Sequence, residues 1–104
     1  MTLNVTQDNF QAEVIDADKP VIVDVWASWC GPCKMLSPII DALDTEMDNV
    51  KFVKLNADEN QELTAALGVR NLPTLVLFKN GAVETVRMGA APKGQIQAWV
   101  NQNI

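Results

Sequence analysis

An α/β fold, with a mixed sheet between helical layers, is predicted by three features of this 104-residue sequence. Strand-like and helix-like segments alternate along the chain before a terminal hairpin and helix. The run Val21-Ile22-Val23-Asp24-Val25-Trp26-Ala27 is β-branched or apolar on both pleat faces apart from one residue, as in a central strand covered on both sides. Asn80-Gly81, between apolar runs, is a strong type I′ hairpin signal and adds an antiparallel pair.

Taken in chain order, Thr6 is placed to cap a short helix over residues 7–16, with Phe10 and Val14 at i and i+4 on its buried face. Lys19-Pro20 breaks that helix before the central strand over 21–27. The next helix is predicted to begin near Pro32, whose missing N–H costs little at the first helical position. Met35, Leu36, Ile39, Ile40, Leu43 and Met47 give it a period near 3.6, and Pro38 inside that pattern predicts a kink rather than a stop.

Val50 to Ala57 reads as a second strand, after which Asp58 is expected to cap a helix with Leu63, Ala66 and Leu67 inward and Gly68 at its end. Thr74 to Phe78 is a third strand, and Val83 to Met88 follows the hairpin as an antiparallel edge. Pro92 opens a last helix with Ile96, Trp99 and Val100 on its inner face. No stretch is rich enough in Pro, Gly or Ser to be a linker, and the expectation is one domain over residues 1–104.

Composition excludes several chemistries. The chain has two cysteines and no histidine, which removes Ser-His and Cys-His nucleophile pairs and every imidazole zinc set. The net charge of −5 argues against a nucleic-acid partner, because phosphate backbones call for clustered Lys and Arg. That charge is uneven: residues 1–69 hold 4 basic and 12 acidic groups, residues 70–104 hold 4 and 1. A solvated helical face around Asp41, Asp44, Glu46 and Asp48 accounts for the acidic part, with a docking preference for acidic partners near the basic third as the alternative. The first ten residues lack a basic n-region and an apolar h-region, and no apolar run reaches membrane-spanning length. A cytoplasmic protein is expected. In a reducing compartment, a close cysteine pair points to catalysis or metal binding ahead of a structural bridge.

Cys30-Gly31-Pro32-Cys33 lies at a strand-to-helix junction. Cys30 precedes the helix, so its sulfur faces unpaired N–H groups of the first turn, which favour thiolate over thiol. Cys33 follows one turn later, close enough to close a small ring. Two inert buried cysteines, or half of a zinc site completed by carboxylates or a second copy, are the competing readings. Asp24 shares a pleat face with Ile22 and Trp26, opposite Val21, Val23 and Val25. Burial there raises a carboxyl pKa. It either caps a nearby backbone amide or serves as a proton acceptor beneath the cysteine pair. Lys54 on the next strand either reaches the same pocket or is an ordinary solvated charge.

The segment Asp24-Val25-Trp26-Ala27-Ser28-Trp29-Cys30-Gly31-Pro32-Cys33-Lys34 closely resembles the active-site segment of the thioredoxin family. The resemblance continues through Phe10, Pro38, Lys54-Leu55-Asn56, Asp58, Leu72-Pro73-Thr74, Phe78-Lys79-Asn80-Gly81 and Gly89. It implies the thioredoxin fold, with a central mixed five-stranded sheet and about four helices on its two faces. It implies that Cys30 is the exposed attacking thiolate and Cys33 the buried resolving thiol, with Asp24 exchanging the latter's proton and Lys54 modulating it. It also implies a cis peptide bond before Pro73, where an X-Pro pair by itself defaults to trans. Trp29, Gly31, Pro32, Leu72, Pro73, Gly89 and Ala90 would form the shallow surface that holds a target segment, partly by strand addition. Val25 stands where the family commonly has an aromatic and Asn71 where a small residue is frequent; Met88 adds an oxidisable side chain at the same rim.

The function implied is protein-disulfide reduction through a reversible Cys30–Cys33 dithiol/disulfide and a mixed-disulfide intermediate. The partners implied are disulfide-containing target proteins and a flavin-dependent, NADPH-using thioredoxin reductase. No Gly-rich phosphate loop is present, and no cofactor is expected on the chain itself. A disulfide oxidase or isomerase, and a redox-independent binding subunit of a larger enzyme, are the alternatives. A monomer is expected.

Overall fold

The structure, a computed structural model, describes residues 2–104. It contains five strands, β1 (Leu3–Val5), β2 (Val21–Trp26), β3 (Lys51–Asn56), β4 (Thr74–Lys79) and β5 (Ala82–Met88). The helical elements are a π-helical turn (Gln11–Ile15), α1 (Gly31–Glu46), α2 (Gln61–Ala66) and α3 (Lys93–Asn103). The sheet order is β1-β3-β2-β4-β5, with β1 and β2 parallel to β3, β4 antiparallel to β2, and β5 antiparallel to β4.

The continuous apolar run therefore lies in the middle of the sheet, and its two pleat faces feed two cores. Ile22 joins Phe52, Leu75 and Leu77 beneath Leu36, Ile40 and Leu43 of α1 and Ile96 and Val100 of α3. Val21, Val23 and Val25 join Val53, Leu55, Val76 and Phe78 on the other face, against Phe10 and Val14 and the partly buried Leu63 and Leu67. Phe10 meets Phe78 edge-on, with centroids 5.6 Å apart, a favourable arrangement of ring quadrupoles.

Several expectations change. The strand β1 carries no strong sequence signal, yet it pairs with β3 and buries Val5. Thr6 Oγ1 accepts the Asp8 N–H, and Asn9 Oδ1 accepts the Thr6 N–H. These bonds hold residues 6–9 in a turn, so the regular helix expected over 7–16 is instead a π turn in which the Asp16 N–H reaches Gln11 O. One expectation holds: Pro38 does not stop α1, which runs on through it. Met35, counted on the inner face, is 70% exposed, because Cys33, Leu36, Ile40 and Leu43 define the buried stripe and it falls about 100° away. Asp58 does not cap α2. The Asn56 carboxamide oxygen accepts the Asp58 and Glu59 N–H groups in an Asx turn, which moves the N-cap to Asn60 and leaves Ala66 exposed.

The hairpin has the predicted left-handed pair, Asn80 at φ 54° and Gly81 at φ 80°. A Cβ on Gly81 would also lie 3.1 Å from the Ile15 carbonyl oxygen. Gly81→Ala is expected to lower stability by about 2 kcal/mol through left-handed strain and that crowding. Chemical denaturation measures it, and an unchanged midpoint would show that the hairpin relaxes without cost.

Candidate active site

The chain leaving β2 turns directly into α1, and Cys30 is the N-cap of that helix, with extended backbone angles of φ −89° and ψ 108°. Its Sγ accepts the Cys33 N–H at 3.2 Å, occupying one of the donors that a helix start leaves free. Pro follows within the first two helical positions. The Cα atoms of Cys30 and Cys33 are 5.3 Å apart, and the two sulfurs are joined in a disulfide. Ala27 is buried beside the pair, with Trp26 and Leu72 packed against it.

Cys30 was expected to be exposed, but in this oxidised state it is 4% accessible and Cys33 3%. Bonding to Cys33, the amide contact and the packing of Leu72 enclose both sulfurs alike.

Asp24 is 1% exposed, and among the described residues no group donates a hydrogen bond to its Oδ1 and no backbone amide is capped by its carboxylate. Burial pushes its carboxyl up from 3.8 to about 7; Lys54 opposes that rise and Asp41 adds to it. Lys54 lies directly across from Asp24 in the β2–β3 register. Its ammonium is not a solvated charge: Nζ donates to Ser37 Oγ at 2.6 Å and pairs with Asp41 Oδ1 at 2.9 Å. Thr2 Oγ1 donates to the same Asp41 oxygen at 2.6 Å. That hydrogen bond is the main cause that holds the Asp41 carboxyl below the ordinary range. Asp41 is thus not part of a merely solvated acidic face. A cavity of about 480 Å³ brings Cys33, Lys54, Ser37 and Trp26 to one space.

The residues assigned to a target-binding surface divide by exposure. Trp29 is 69% exposed, and its Nε1 donates to Asp58 Oδ2 at 2.9 Å. Gly31, Pro32, Gly89 and Ala90 are exposed, Leu72 is half-buried and Pro73 is buried. The Leu72–Pro73 peptide bond is cis, and the Pro73 carbonyl accepts the Gly89 N–H at 2.9 Å. One depression runs from Trp29 to Leu72 past Asp58, Arg70 and Asn71, and another joins Ala90 to Met35 and Ile39. Asn71 Nδ2 donates to Met88 Sδ at 3.7 Å, tying two of the rim residues together. Lys93, one of the four cations of the C-terminal third, is paired with Glu46 of α1.

Sequence reasoning missed Thr2, Ser37 and the role of Asp41 around Lys54, and Met35, Ile39 and Asp58 around the exposed surface. Only Ser37 and Asp41 left a trace, since i and i+4 share one helix face. No group of three or more cysteine, aspartate or glutamate side chains suited to a metal occurs among the described residues.

The thioredoxin family model matches residues 1–102. A thioredoxin from Rickettsia typhi is 49% identical over 105 aligned residues, covering all of both chains. Thioredoxins from Pseudomonas aeruginosa and Rickettsia prowazekii are 48% and 47% identical, covering 98% and 100% of this chain and 95% and 100% of their own. A helix-capping disulfide at the end of the central strand and full-length similarity to these proteins lead to one assignment. The chain belongs to the thioredoxin family, a thiol–disulfide oxidoreductase that reduces protein disulfides through its redox-active Cys30–Cys33 pair.

Proposed function

We propose that Cys30 is the attacking group, Cys33 the resolving group and Asp24 the proton carrier of the disulfide exchange. The observation that carries this reading is the Cys33 N–H on Cys30 Sγ: the amide and the α1 dipole would stabilise negative charge on Cys30 ahead of Cys33. The Cys30 thiolate attacks one sulfur of a target disulfide, forming a Cys30–target bond and releasing the other target sulfur as thiolate. The Cys33 thiol gives its proton to Asp24, and its sulfur attacks Cys30 Sγ. The mixed disulfide breaks, the second target thiolate leaves, and the chain has donated two electrons. A carboxyl near 7 has the proton affinity this exchange needs at neutral pH. Lys54 tunes that affinity through its charge.

The exposed faces of Trp29, Gly31, Pro32, Gly89 and Ala90, with Leu72 and Pro73 behind them, hold the target segment. The partners are disulfide-containing proteins and, by family analogy, a flavin-dependent thioredoxin reductase that returns the disulfide to the dithiol. The chain works as one domain in the cytoplasm. No helix among the described residues is long and apolar enough to cross a membrane.

Reduction of insulin disulfides with dithiothreitol as electron source tests the assignment. Wild type is expected to accelerate precipitation of the reduced insulin chain, and Cys30→Ser to fall to the dithiothreitol background. A Cys30→Ser protein that retained the wild-type rate would remove Cys30 from the attacking role.

A further inference from the structure

Lys54 is the cation nearest Asp24 in the strand register, yet the two form no ion pair. The ammonium is engaged elsewhere, by two groups on one face of α1. Ser37 and Asp41 are separated by four residues, so they stack on that face. Both take hydrogen-bonding or ionic contact from the same Nζ, at 2.6 and 2.9 Å. Thr2, 6% exposed and just ahead of β1, donates to the same Asp41 oxygen and so helps to fix the carboxylate that Lys54 meets. Two side chains of α1 therefore hold the lysine head group of β3, one of them fixed in turn by Thr2, although Asp41 itself is substantially exposed.

We propose that Asp41 is a positioning residue: it holds the Lys54 ammonium against α1 and so keeps that cation from pairing with Asp24. The inference deepens the proton-carrier reading of Asp24 and rests on it for its catalytic meaning. A lysine released from Asp41 has one uncompensated carboxylate within its register, that of Asp24. Ion pairing there would favour the charged form of Asp24 and weaken it as a base. The negative charge of Asp41 acts in the same direction as its grip on Lys54, since it also disfavours charge on Asp24.

The charged and titratable groups around Asp24 are few. Lys54 comes from β3 and Asp41 from α1, while β4 offers only Leu75 in register. Arg87 of β5 lies beyond Leu75 in the same row. Lys34 of α1 lines the cavity with Cys33, whose thiol titrates only in the reduced protein.

The test is the titration of the Asp24 side-chain carboxyl, followed by carbon-13 NMR in the oxidised protein. Asp41→Ala is expected to move the midpoint down by roughly one pH unit. Asp41→Asn, which keeps an acceptor for Lys54 and Thr2, should move it less. In a Lys54→Met background the Asp41→Ala shift should shrink to under about half, as for any pair that acts through one contact. An unmoved midpoint would overturn the inference, and so would a shift of undiminished size without Lys54. The resolving-step rate, measured separately against pH, tests the catalytic reading. If the midpoint moves as expected while that profile stays put, the positioning role stands and Asp24 is not the proton carrier.

Discussion

Replacing Cys33 by serine is expected to turn the catalyst into a trap. Cys30 keeps its helix-capping position and still attacks a target disulfide, but nothing remains to break the bond it forms. Serine is the same shape with a far weaker nucleophile, so multiple turnover should fall by about a thousandfold or more. The first step should proceed, and a covalent adduct of one chain with one target chain should accumulate. Mass spectrometry under non-reducing conditions reads the adduct directly, and excess dithiothreitol should release it. Cys30→Ser should give no adduct at all. Adducts formed equally by both variants would mean that either sulfur can attack, and the order of the two cysteines would have to be abandoned.

The second large effect concerns stability. Asp24 has its carboxyl raised to about 7 by burial, against 3.8 for an unhindered aspartate. Below about pH 4 the folded and unfolded chains both carry the proton, and the buried group costs nothing extra. Between about 4 and 7 the unfolded chain releases its proton while the folded chain retains it, so stability falls as pH rises. Above about 7 both states are ionised and the loss is complete. Each unit of difference corresponds to about 1.4 kcal/mol, which puts the full loss at about 4 kcal/mol. Asp24→Asn removes the ionisation, so the stability gap between variant and wild type should widen by that amount between pH 4 and pH 8. Urea denaturation of the oxidised proteins across this range measures it. Parallel stability curves would mean that Asp24 is far better solvated than its burial indicates. The same variant should slow the resolving step at neutral pH, because a carboxamide cannot take the Cys33 proton.

Much of this was legible in the chain itself. A seven-residue run apolar on both pleat faces can only sit inside a sheet, and one acid within it can only be buried. Asn80-Gly81 admits few conformations other than the left-handed pair it adopts. What stayed hidden depended on partners distant in sequence. Leu3-Asn4-Val5 is too short and too polar to announce a strand and gains its identity from Val53, Lys54 and Leu55 across the sheet. Thr2 and Asp41 meet over a separation of 39 residues, and Trp29 and Asp58 over 29. Asp58 shows the other kind of failure. It has the right residue type for a helix cap, and a competing local bond from Asn56 displaced it. Met35 fitted the apolar period but lies off the stripe, since periodicity counts hydrophobic residues and does not say which of them packing leaves outside.

The amide contact at the start of α1 bears on how costly each change of oxidation state is. The Cys33 N–H already points at Cys30 Sγ while that sulfur is half of a disulfide and carries no formal charge. On the proposed reading Cys30 becomes the anion when electrons arrive, and the dipole that would stabilise it is in place beforehand. Solvent in bulk water would have to reorient for such a change, whereas a helix terminus is held by the packing of all of α1. On that reading, a change of oxidation state at Cys30 asks little rearrangement of the start of α1, which is useful to a protein that accepts and surrenders an electron pair repeatedly.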